Sequence, residues 1–259
     1  MAYILDLSGR TALVTGASSG LGAQFAQILA AAGATVVLAS RRRASLEVVQ
    51  QRIAAAGGTA FVVELDVTSP ASIEAAVAAA EAQAGPIDVL VNNSGVSTTQ
   101  RLQDVTEQDW DFVLNTNLKG AFFVAQTVAR RMIERAREAG GRIDGARIIN
   151  IASMAGLKVL PQIGIYAISK AGVVQMTKAM ALEWGRFGIN TNALCPGYIE
   201  TEINRAHFQS EAGQKLVQML PRKKIGQPAD LDALIVLLAS NNSHFVNGAT
   251  IAADDGFAV

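Results

Sequence analysis

The sequence is short of several residue types, and each shortage excludes a class of protein. One of the 259 residues is a cysteine, Cys195, so a framework of internal disulfides is excluded. Charged residues make up 17% of the chain, with 22 basic and 22 acidic side chains, which gives no electrostatic reason to expect a nucleic acid partner. No apolar run approaches the roughly 18 residues that cross a bilayer, so no membrane partner is expected.

Targeting and metal-binding patterns are missing as well. The amino-terminal residues have no basic segment followed by a long apolar run, so we expect no signal peptide and a cytoplasmic protein. The two histidines, His207 and His244, have no acidic or cysteine partners at metal-ligand spacing, so no metal site is expected. Half of the chain is apolar, which is sufficient for a large buried core.

Short apolar runs alternate with longer stretches of helical periodicity. The strand candidates are residues 11–15, 35–39, 60–64, 89–91, 147–151, 191–194 and 249–252. Strands that alternate with helices indicate parallel βαβ units. The sequence therefore predicts an α/β fold over residues 1–259: a single-domain, doubly wound Rossmann fold with a mostly parallel seven-stranded sheet and helices on both faces.

Three further segments carry structural predictions. A capping box from Thr106 to Asp109 predicts one long helix that continues beyond Arg130. Residues 136–146 predict an exposed loop. Residues 198–225 follow the carboxyl end of a strand, where open α/β sheets bind ligands. Scattered apolar side chains there, among them Ile203 and Phe208, predict a lid over the substrate.

A glycine-rich turn links the first strand to the first helix. Glycines allow a sharp turn close to a diphosphate, and the helix N-terminus offers free N–H groups to that anion. The alternative is a tight turn that serves only close packing of the helix on the strand. The residues predicted to bind a dinucleotide here are Gly16, Ser18, Ser19, Gly20, Leu21 and Gly22.

The end of the second strand distinguishes between two cofactors. NAD(H) favours an acidic residue here, which binds the ribose 2′-hydroxyl. The sequence instead has Ser40 followed by Arg41 and two more arginines, and a guanidinium can bind a 2′-phosphate with two hydrogen bonds. NADP(H) is therefore favoured and NAD(H) remains possible. A solvated run of charges is the alternative interpretation.

Tyr166 and Lys170 stand four positions apart on one predicted helix, so their side chains share a face. An ammonium near a phenol lowers its pKa, and such a tyrosine can exchange a proton with an alcohol oxygen. Ser153, at the end of the fifth strand, could hydrogen-bond the same oxygen. Asn117 is a polar residue in an apolar helical neighbourhood. A tyrosine–lysine pair alone is common on helix surfaces, so the prediction depends on all four residues.

Together these motifs resemble the short-chain dehydrogenase/reductase family over essentially the whole chain. The turn matches the family's Thr-Gly-x3-Gly-x-Gly pattern, and residues 92–95 resemble its Asn-Asn-Ala-Gly motif with Ser94 in place of alanine. Residues 196–201 and 254–256 are similar to two further family motifs. The four polar residues fall in order on the family's catalytic tetrad: Asn117, Ser153, Tyr166 and Lys170.

The resemblance implies a role for each matched residue. Tyr166 would be the acid and base, Lys170 would lower its pKa and bind the nicotinamide ribose, Ser153 would orient the carbonyl group, and Asn117 would hold a water behind Lys170. The remaining residues implied to contact the cofactor are Asp66 and Val67 at the adenine, Asn93 and Gly95 at the adjacent ribose, and Pro196, Gly197, Ile199 and Thr201 at the nicotinamide half. A homotetramer is also implied.

These observations predict an oxidoreductase that transfers a hydride between NADP(H) and an alcohol or ketone carbon of a small or acyl-type substrate, as in carbonyl or 3-oxoacyl reductases. An NAD-dependent secondary-alcohol or hydroxysteroid dehydrogenase is the alternative. A non-catalytic nucleotide-binding sensor is a more remote one, since it would not need the four polar residues.

Overall fold

All seven strands form one parallel sheet in a computed structural model of the chain, which describes residues 5–202 and 204–258. The strand order is β3-β2-β1-β4-β5-β6-β7. The strands are β1 (Thr11–Thr15), β2 (Thr35–Ser40), β3 (Thr59–Glu64), β4 (Val89–Asn92), β5 (Ala146–Ile151), β6 (Ile189–Pro196) and β7 (Thr250–Ala253). The doubly wound fold predicted from the sequence is confirmed, and every neighbouring pair of strands is parallel.

Helices cover both faces of the sheet. They are α1 (Gly20–Ala31), α2 (Arg43–Ala55), α3 (Pro70–Ala84), α4 (Glu107–Leu114), α5 (Ala121–Glu138), α6 (Gly164–Trp184), α7 (Arg205–Gln209), α8 (Glu211–Met219) and α9 (Asp232–Ala239). Successive residues of a strand point to opposite faces. In β1, Leu13 belongs to the core beneath α3, α5 and α6, whereas Ala12 and Val14 belong to the core beneath α1, α2 and α9.

The helix predicted to run without a break from Thr106 beyond Arg130 is interrupted. Thr106 caps α4 as expected, accepting a hydrogen bond from the Asp109 backbone. A π-helical turn, Asn115–Gly120, then separates α4 from α5. Gly120 lies against the segment that follows β3. A methyl group on Gly120 would come within 2.7 Å of the Val67 carbonyl oxygen. This close approach and the wider turn bring Asn117 to the carboxyl edge of the sheet.

Two other predicted segments differ from the observed ones by more than one residue at a boundary. The exposed loop predicted over residues 136–146 is shorter, because α5 continues to Glu138 and its Ala136 is buried. Strand β6 is longer than predicted and begins at Ile189. Its polar Asn190 disrupts the apolar pattern in the sequence, but the Asn190 amide is buried and donates to the carbonyls of His244 and Val246 at 2.8 and 2.9 Å.

The segment predicted as a lid contains α7 and α8 and follows the carboxyl end of β6. Ile203, one of its predicted apolar residues, and the side chain of His207 lie outside what the structure describes. Phe208 is buried and Met219 is exposed. Across residues 5–202 and 204–258, no helix is both long and apolar enough to cross a membrane.

Candidate active site

The glycine-rich turn is folded tightly between β1 and α1. Gly16 and Gly20 have φ angles of +67° and +55°, a region that side chains disfavour. A methyl group on Gly22 would lie 2.6 Å from Asn93 Nδ2. Asn93 in turn fixes the turn from β4, because its Nδ2 donates to the Thr15 carbonyl at 3.0 Å. The glycines therefore serve packing as well as any approach of a ligand.

The start of α1 fits an anionic group such as a diphosphate. Ser19 directly precedes α1, but its side chain makes no capping hydrogen bond. The first turn of α1 contains no acidic residue. Unpaired N–H groups and the positive end of the helix dipole are then directed at the end of the sheet. The turn can hold a dinucleotide at this edge.

Arg42 is the arginine that reaches this turn. Its Nη2 donates to the hydroxyls of Ser18 and Ser19 at 2.9 and 2.8 Å, and its backbone N–H donates to Ser40 Oγ at 3.1 Å. Arg41, which we favoured from the sequence, lies near Asp66 and contributes to the lowered pKa of its carboxyl group, and its contact with the cofactor stays a prediction. The sequence contained both arginines but could not show which one turns back over the serines.

The residues predicted at the adenine, Asp66 and Val67, follow the carboxyl end of β3. The Asp66 carboxylate accepts two hydrogen bonds from Thr68, at 2.9 Å from its N–H and 2.7 Å from its hydroxyl. These bonds, and to a smaller extent Arg41, lower the pKa of Asp66. Val67 is buried beside the π-helical turn.

Ser153, Tyr166 and Lys170 lie together at the carboxyl end of β5. The Ser153 hydroxyl and the Tyr166 phenol are close enough to interact, and Lys170 Nζ lies 5.7 Å from the centre of the Tyr166 ring. Lys170 is 4% exposed, and its Nζ donates to the Ile151 carbonyl at 2.8 Å. The structure thus brings together three of the four residues predicted to be catalytic, on α6 and on the end of the adjoining strand.

Burial dominates the pKa values of this cluster. It raises the pKa of the Tyr166 phenol, and the nearby Ser153 hydroxyl opposes that rise. It lowers the pKa of Lys170 to about 8. From the sequence we expected the ammonium to lower the pKa of Tyr166. Here removal from water disfavours the charged form of both groups, and at Tyr166 it outweighs the opposing effect of Ser153.

Asn117 completes the cluster from the π-helical turn. Its Oδ1 accepts from the Val96 N–H at 2.7 Å, and its Nδ2 donates to the Val96 carbonyl at 2.8 Å and to Ser169 Oγ at 3.0 Å. Ser169 is fully buried and donates to the Tyr166 carbonyl at 2.7 Å. Sequence reasoning missed Ser169, although its place directly before Lys170 was a usable signal. The water-holding role of Asn117 stays a prediction.

A cavity of about 550 Å³ opens in front of these side chains. Ten of the residues predicted to bind the cofactor or to act in catalysis line this cavity: Leu21, Asn93, Gly95, Ser153, Tyr166, Lys170, Pro196, Gly197, Ile199 and Thr201. Thr201 also lies 3.5 Å from the position that a methyl group on Gly20 would take, so the two ends of the site meet.

Several residues of this cavity were not predicted. They are Val96, Ser97, Phe112, Ile151, Ala152, Tyr198 and Asn204. Tyr198 stands between two residues that the sequence did indicate, Gly197 and Ile199. Asn204 fixes the start of the lid segment, since its Oδ1 accepts from the Thr201 N–H at 2.7 Å and its Nδ2 donates to the Ile199 carbonyl at 2.9 Å.

Metal-ligand clusters are absent from the part of the chain that the structure describes. Cys195 is buried in β6 next to the tyrosine–lysine pair, and burial raises its pKa to about 11. A thiol with this pKa is protonated at neutral pH and is a poor nucleophile. The reactive groups of the cavity are therefore the phenol, the serine hydroxyl and the ammonium.

Comparison with known proteins identifies the class of protein to which this chain belongs. A family model described as enoyl-(acyl carrier protein) reductase matches residues 16–258. Gluconate 5-dehydrogenase of Gluconobacter oxydans is 39% identical over 257 residues, covering 99% of this chain and 97% of the relative. D-Threitol dehydrogenase of Mycolicibacterium smegmatis is 36% identical, with 98% and 94% covered. NAD-dependent glycerol dehydrogenase of Listeria innocua is 30% identical, with 98% and 96% covered.

A solved structure agrees with these relatives. Gluconate 5-dehydrogenase from Burkholderia cenocepacia in complex with NADP and tartrate superimposes with a TM-score of 0.90 at 38% identity, over 97% of this chain and 96% of that one. The class is that of NAD(P)-dependent oxidoreductases that interconvert alcohols and ketones. The chain belongs to the short-chain dehydrogenase/reductase family, as its motifs indicated. Both nucleotides occur among its relatives.

The buried Lys170 leads to a prediction about stability and pH. Its pKa is about 8 in the fold, against 10.5 for the ordinary group, so between these values the unfolded chain binds more protons. Stability must then rise with pH in this window. Relative to Lys170→Met, the wild-type free energy of unfolding should rise by about 2 kcal/mol from pH 7.5 to 9.5, measured by urea denaturation. Parallel pH profiles for the two proteins would contradict the burial of a titrating ammonium.

Proposed function

We propose that the protein is an NADP(H)-preferring dehydrogenase that oxidises a secondary hydroxyl of a compact polyhydroxylated substrate and reduces the corresponding ketone. The observation that carries the chemistry is the buried cluster of Ser153, Tyr166 and Lys170 in the wall of one cavity. The single domain over residues 1–259 and the lid over residues 198–225 are part of this proposal.

The proposed mechanism uses Tyr166 as the proton carrier. When bound, the dinucleotide supplies the hydride to the ketone carbon, or accepts it from the alcohol. Because burial raises the pKa of Tyr166, the phenol is protonated at neutral pH and can donate its proton to the substrate oxygen. The Ser153 hydroxyl holds the same oxygen, and the Lys170 ammonium stabilises the phenolate that remains. Oxidation of the alcohol returns the proton to the phenolate.

The neutral polar groups in the otherwise mostly apolar wall of the cavity support a hydroxylated substrate. Ser97, Tyr198 and Asn204 contribute neutral hydrogen-bonding groups, and Phe112 contributes an apolar surface. Among the described residues of the wall, Lys170 alone is charged. Hydroxyl groups match such a wall, because a carboxylate removed from water requires a paired cation. The polyol named in the D-threitol dehydrogenase relative has this chemistry.

A sugar acid is a second candidate substrate, because two of the relatives are named for gluconate. An acyl-type substrate, which the sequence also suggested, has less support. The relatives compared above are named for gluconate, threitol and glycerol, which are hydroxylated molecules rather than acyl thioesters. We therefore place polyols first, sugar acids second and 3-oxoacyl thioesters third.

The substrate class is tested by kinetics on a matched panel. Threitol, glycerol, gluconate and a 3-oxoacyl thioester would be assayed with both cofactors by nicotinamide absorbance. The proposal predicts the highest kcat/KM for a neutral polyol with NADP⁺. A kcat/KM that is higher for gluconate selects the second candidate, and turnover of the thioester alone contradicts the proposal.

Tyr166→Phe tests the proton carrier. This change removes the phenolic hydroxyl and keeps the ring, so kcat should fall by about 10² or more, the usual contribution of a general acid or base. Isothermal titration calorimetry should give an unchanged Kd for NADPH, which also serves as the control for correct folding. Turnover at the wild-type rate would exclude Tyr166 as the acid and base.

Arg42→Ala tests the cofactor preference. Arg42 lies over Ser18 and Ser19, where it can pair with a 2′-phosphate. Losing a hydrogen bond to a charged group costs about 1.5–3 kcal/mol, so the Kd for NADPH should rise about 10- to 100-fold while that for NADH stays constant. Arg43→Ala is the matched control, because Arg43 pairs with Glu47 on the surface of α2 at 3.0 Å. Equal losses for NADPH and NADH would contradict phosphate recognition.

We also propose a homo-oligomer, a tetramer by family resemblance. A groove of about 620 Å³ between α5 and α6 is lined by apolar side chains such as Phe122, Phe123 and Trp184. Phe122 is partly exposed there, and exposed apolar patches mark interaction surfaces. Sedimentation velocity should give about four times the 27.1 kDa chain mass. A species with the mass of one chain would contradict the proposal.

A further inference from the structure

The chain beyond β7 folds back toward the candidate active site in a compact turn, residues 254–258. The Asp254 carboxylate organises this turn by accepting from the Gly256 N–H at 3.1 Å and from the Ala258 N–H at 2.8 Å. The turn abuts the end of β6, since a methyl group on Gly197 would lie 2.6 Å from Asp254 Cα. The C-terminal turn is therefore packed against a residue of the cavity wall.

Phe257, in this turn, is bound by Lys158, which lies in the loop that follows β5. Lys158 Nζ donates to the Phe257 carbonyl at 2.8 Å and lies 4.8 Å from the centre of the Phe257 ring. Such a cation above a ring is attracted to its face. Phe257 also packs against the small buried cluster of Met154, Ala155 and Ala167, against which Tyr166 packs as well. The ring is thus fixed by the polypeptide that carries the catalytic tyrosine.

Tyr198 connects Phe257 with the lid segment. Its ring centre lies 5.6 Å from that of Phe257 and 6.0 Å from that of Phe208, in edge-to-face arrangements at 65° and 89°. Aromatic rings favour this geometry. Tyr198 itself lines the 550 Å³ cavity in front of Ser153 and Tyr166. Phe257 therefore packs against a residue of the cavity wall, although Phe257 itself does not line the cavity.

A second contact joins the turn to the lid segment. Arg222, after α8, forms an ion pair with Asp255. The Arg222 side chain is 80% exposed, so this pair contributes little energy of its own. Between the turn and residues 220–231 lies a groove of about 420 Å³, whose wall includes Tyr198. The ion pair does not involve Tyr198, whose ring contacts are those with Phe257 and Phe208.

We propose that Phe257 is a positioning residue for substrate specificity, which holds Tyr198 as a fixed wall of the substrate cavity. This inference rests on the proposed function, because it concerns the same cavity. Fixing Tyr198 in advance removes an ordering cost from substrate binding, so Phe257 affects KM for the substrate more than kcat. Cofactor binding does not depend on it.

Phe257→Ala is the direct test, with the substrate that the wild-type protein turns over best. KM for that substrate should rise about tenfold, equivalent to about 1.4 kcal/mol, while kcat stays within about twofold and the Kd for NADPH is unchanged. If Phe257 acts through Tyr198, the Tyr198→Ala/Phe257→Ala double variant should have the KM of Tyr198→Ala alone, since coupled residues give non-additive effects. Val159→Ala is the control, because Val159 is 83% exposed next to Lys158.

Two milder variants keep the test valid if Phe257→Ala fails to fold. Phe257→Leu keeps an apolar side chain, and Lys158→Met removes the ammonium that holds the ring; both should raise KM, and the loss should be smaller than for a folded Phe257→Ala. The proposal would be overturned if both variants had the wild-type KM. It would also be overturned if the rise in KM of the double variant equalled the product of the rises in the two single variants. Failure of the wild-type protein on the substrate panel is a separate result, which refutes the proposed function before any variant is compared.

Discussion

The catalytic half of the structure depends on the buried hydrogen bond from the Lys170 ammonium to the Ile151 carbonyl, at 2.8 Å. A charged group removed from water is tolerated only with good partners, and this one stands in a wall that otherwise consists of neutral side chains. The bond fixes α6 against the end of β5. Tyr166, one helical turn before Lys170, then lies against Ser153, which follows the same strand. The cost of burying the ammonium is expressed in its low pKa.

The cofactor half is built on the same edge of the sheet, and residues 93–95, which follow β4, join the two halves. The turn after β1 is closed by Asn93, which directly follows β4, a neighbour of β1 in the sheet. Gly95 follows two residues later, and a methyl group there would lie 3.4 Å from Asn117 Oδ1 and 3.5 Å from Lys170 Nζ. The carboxyl ends of parallel strands meet at one edge, which is why residues far apart in sequence share one cavity.

Strong local patterns made most of this predictable. The sheet, the glycine turn and the tyrosine–lysine spacing each have a short-range signal, and the structure has all three. Less was predictable where contacts between residues distant in the sequence determine the local structure. The π-helical turn at Asn117 depends on contact with Val67, β6 contains an Asn190 whose partners lie more than 50 residues away, and Arg42 was distinguished from Arg41 only by its path in space. The raised pKa of Tyr166 depends on burial, which spacing alone does not reveal.

The central claim is that a dinucleotide bound at this cavity transfers its hydride directly to the ketone carbon of a polyhydroxylated substrate. Tyr166 donates the proton to the substrate oxygen. The most direct measurement is a reduction carried out with NADPH deuterated at the transferable position, followed by mass spectrometry and NMR of the alcohol product. The account predicts one deuterium on the carbinol carbon and none from D₂O solvent at that position. Deuterium acquired from the solvent, or a product without the label, would contradict it.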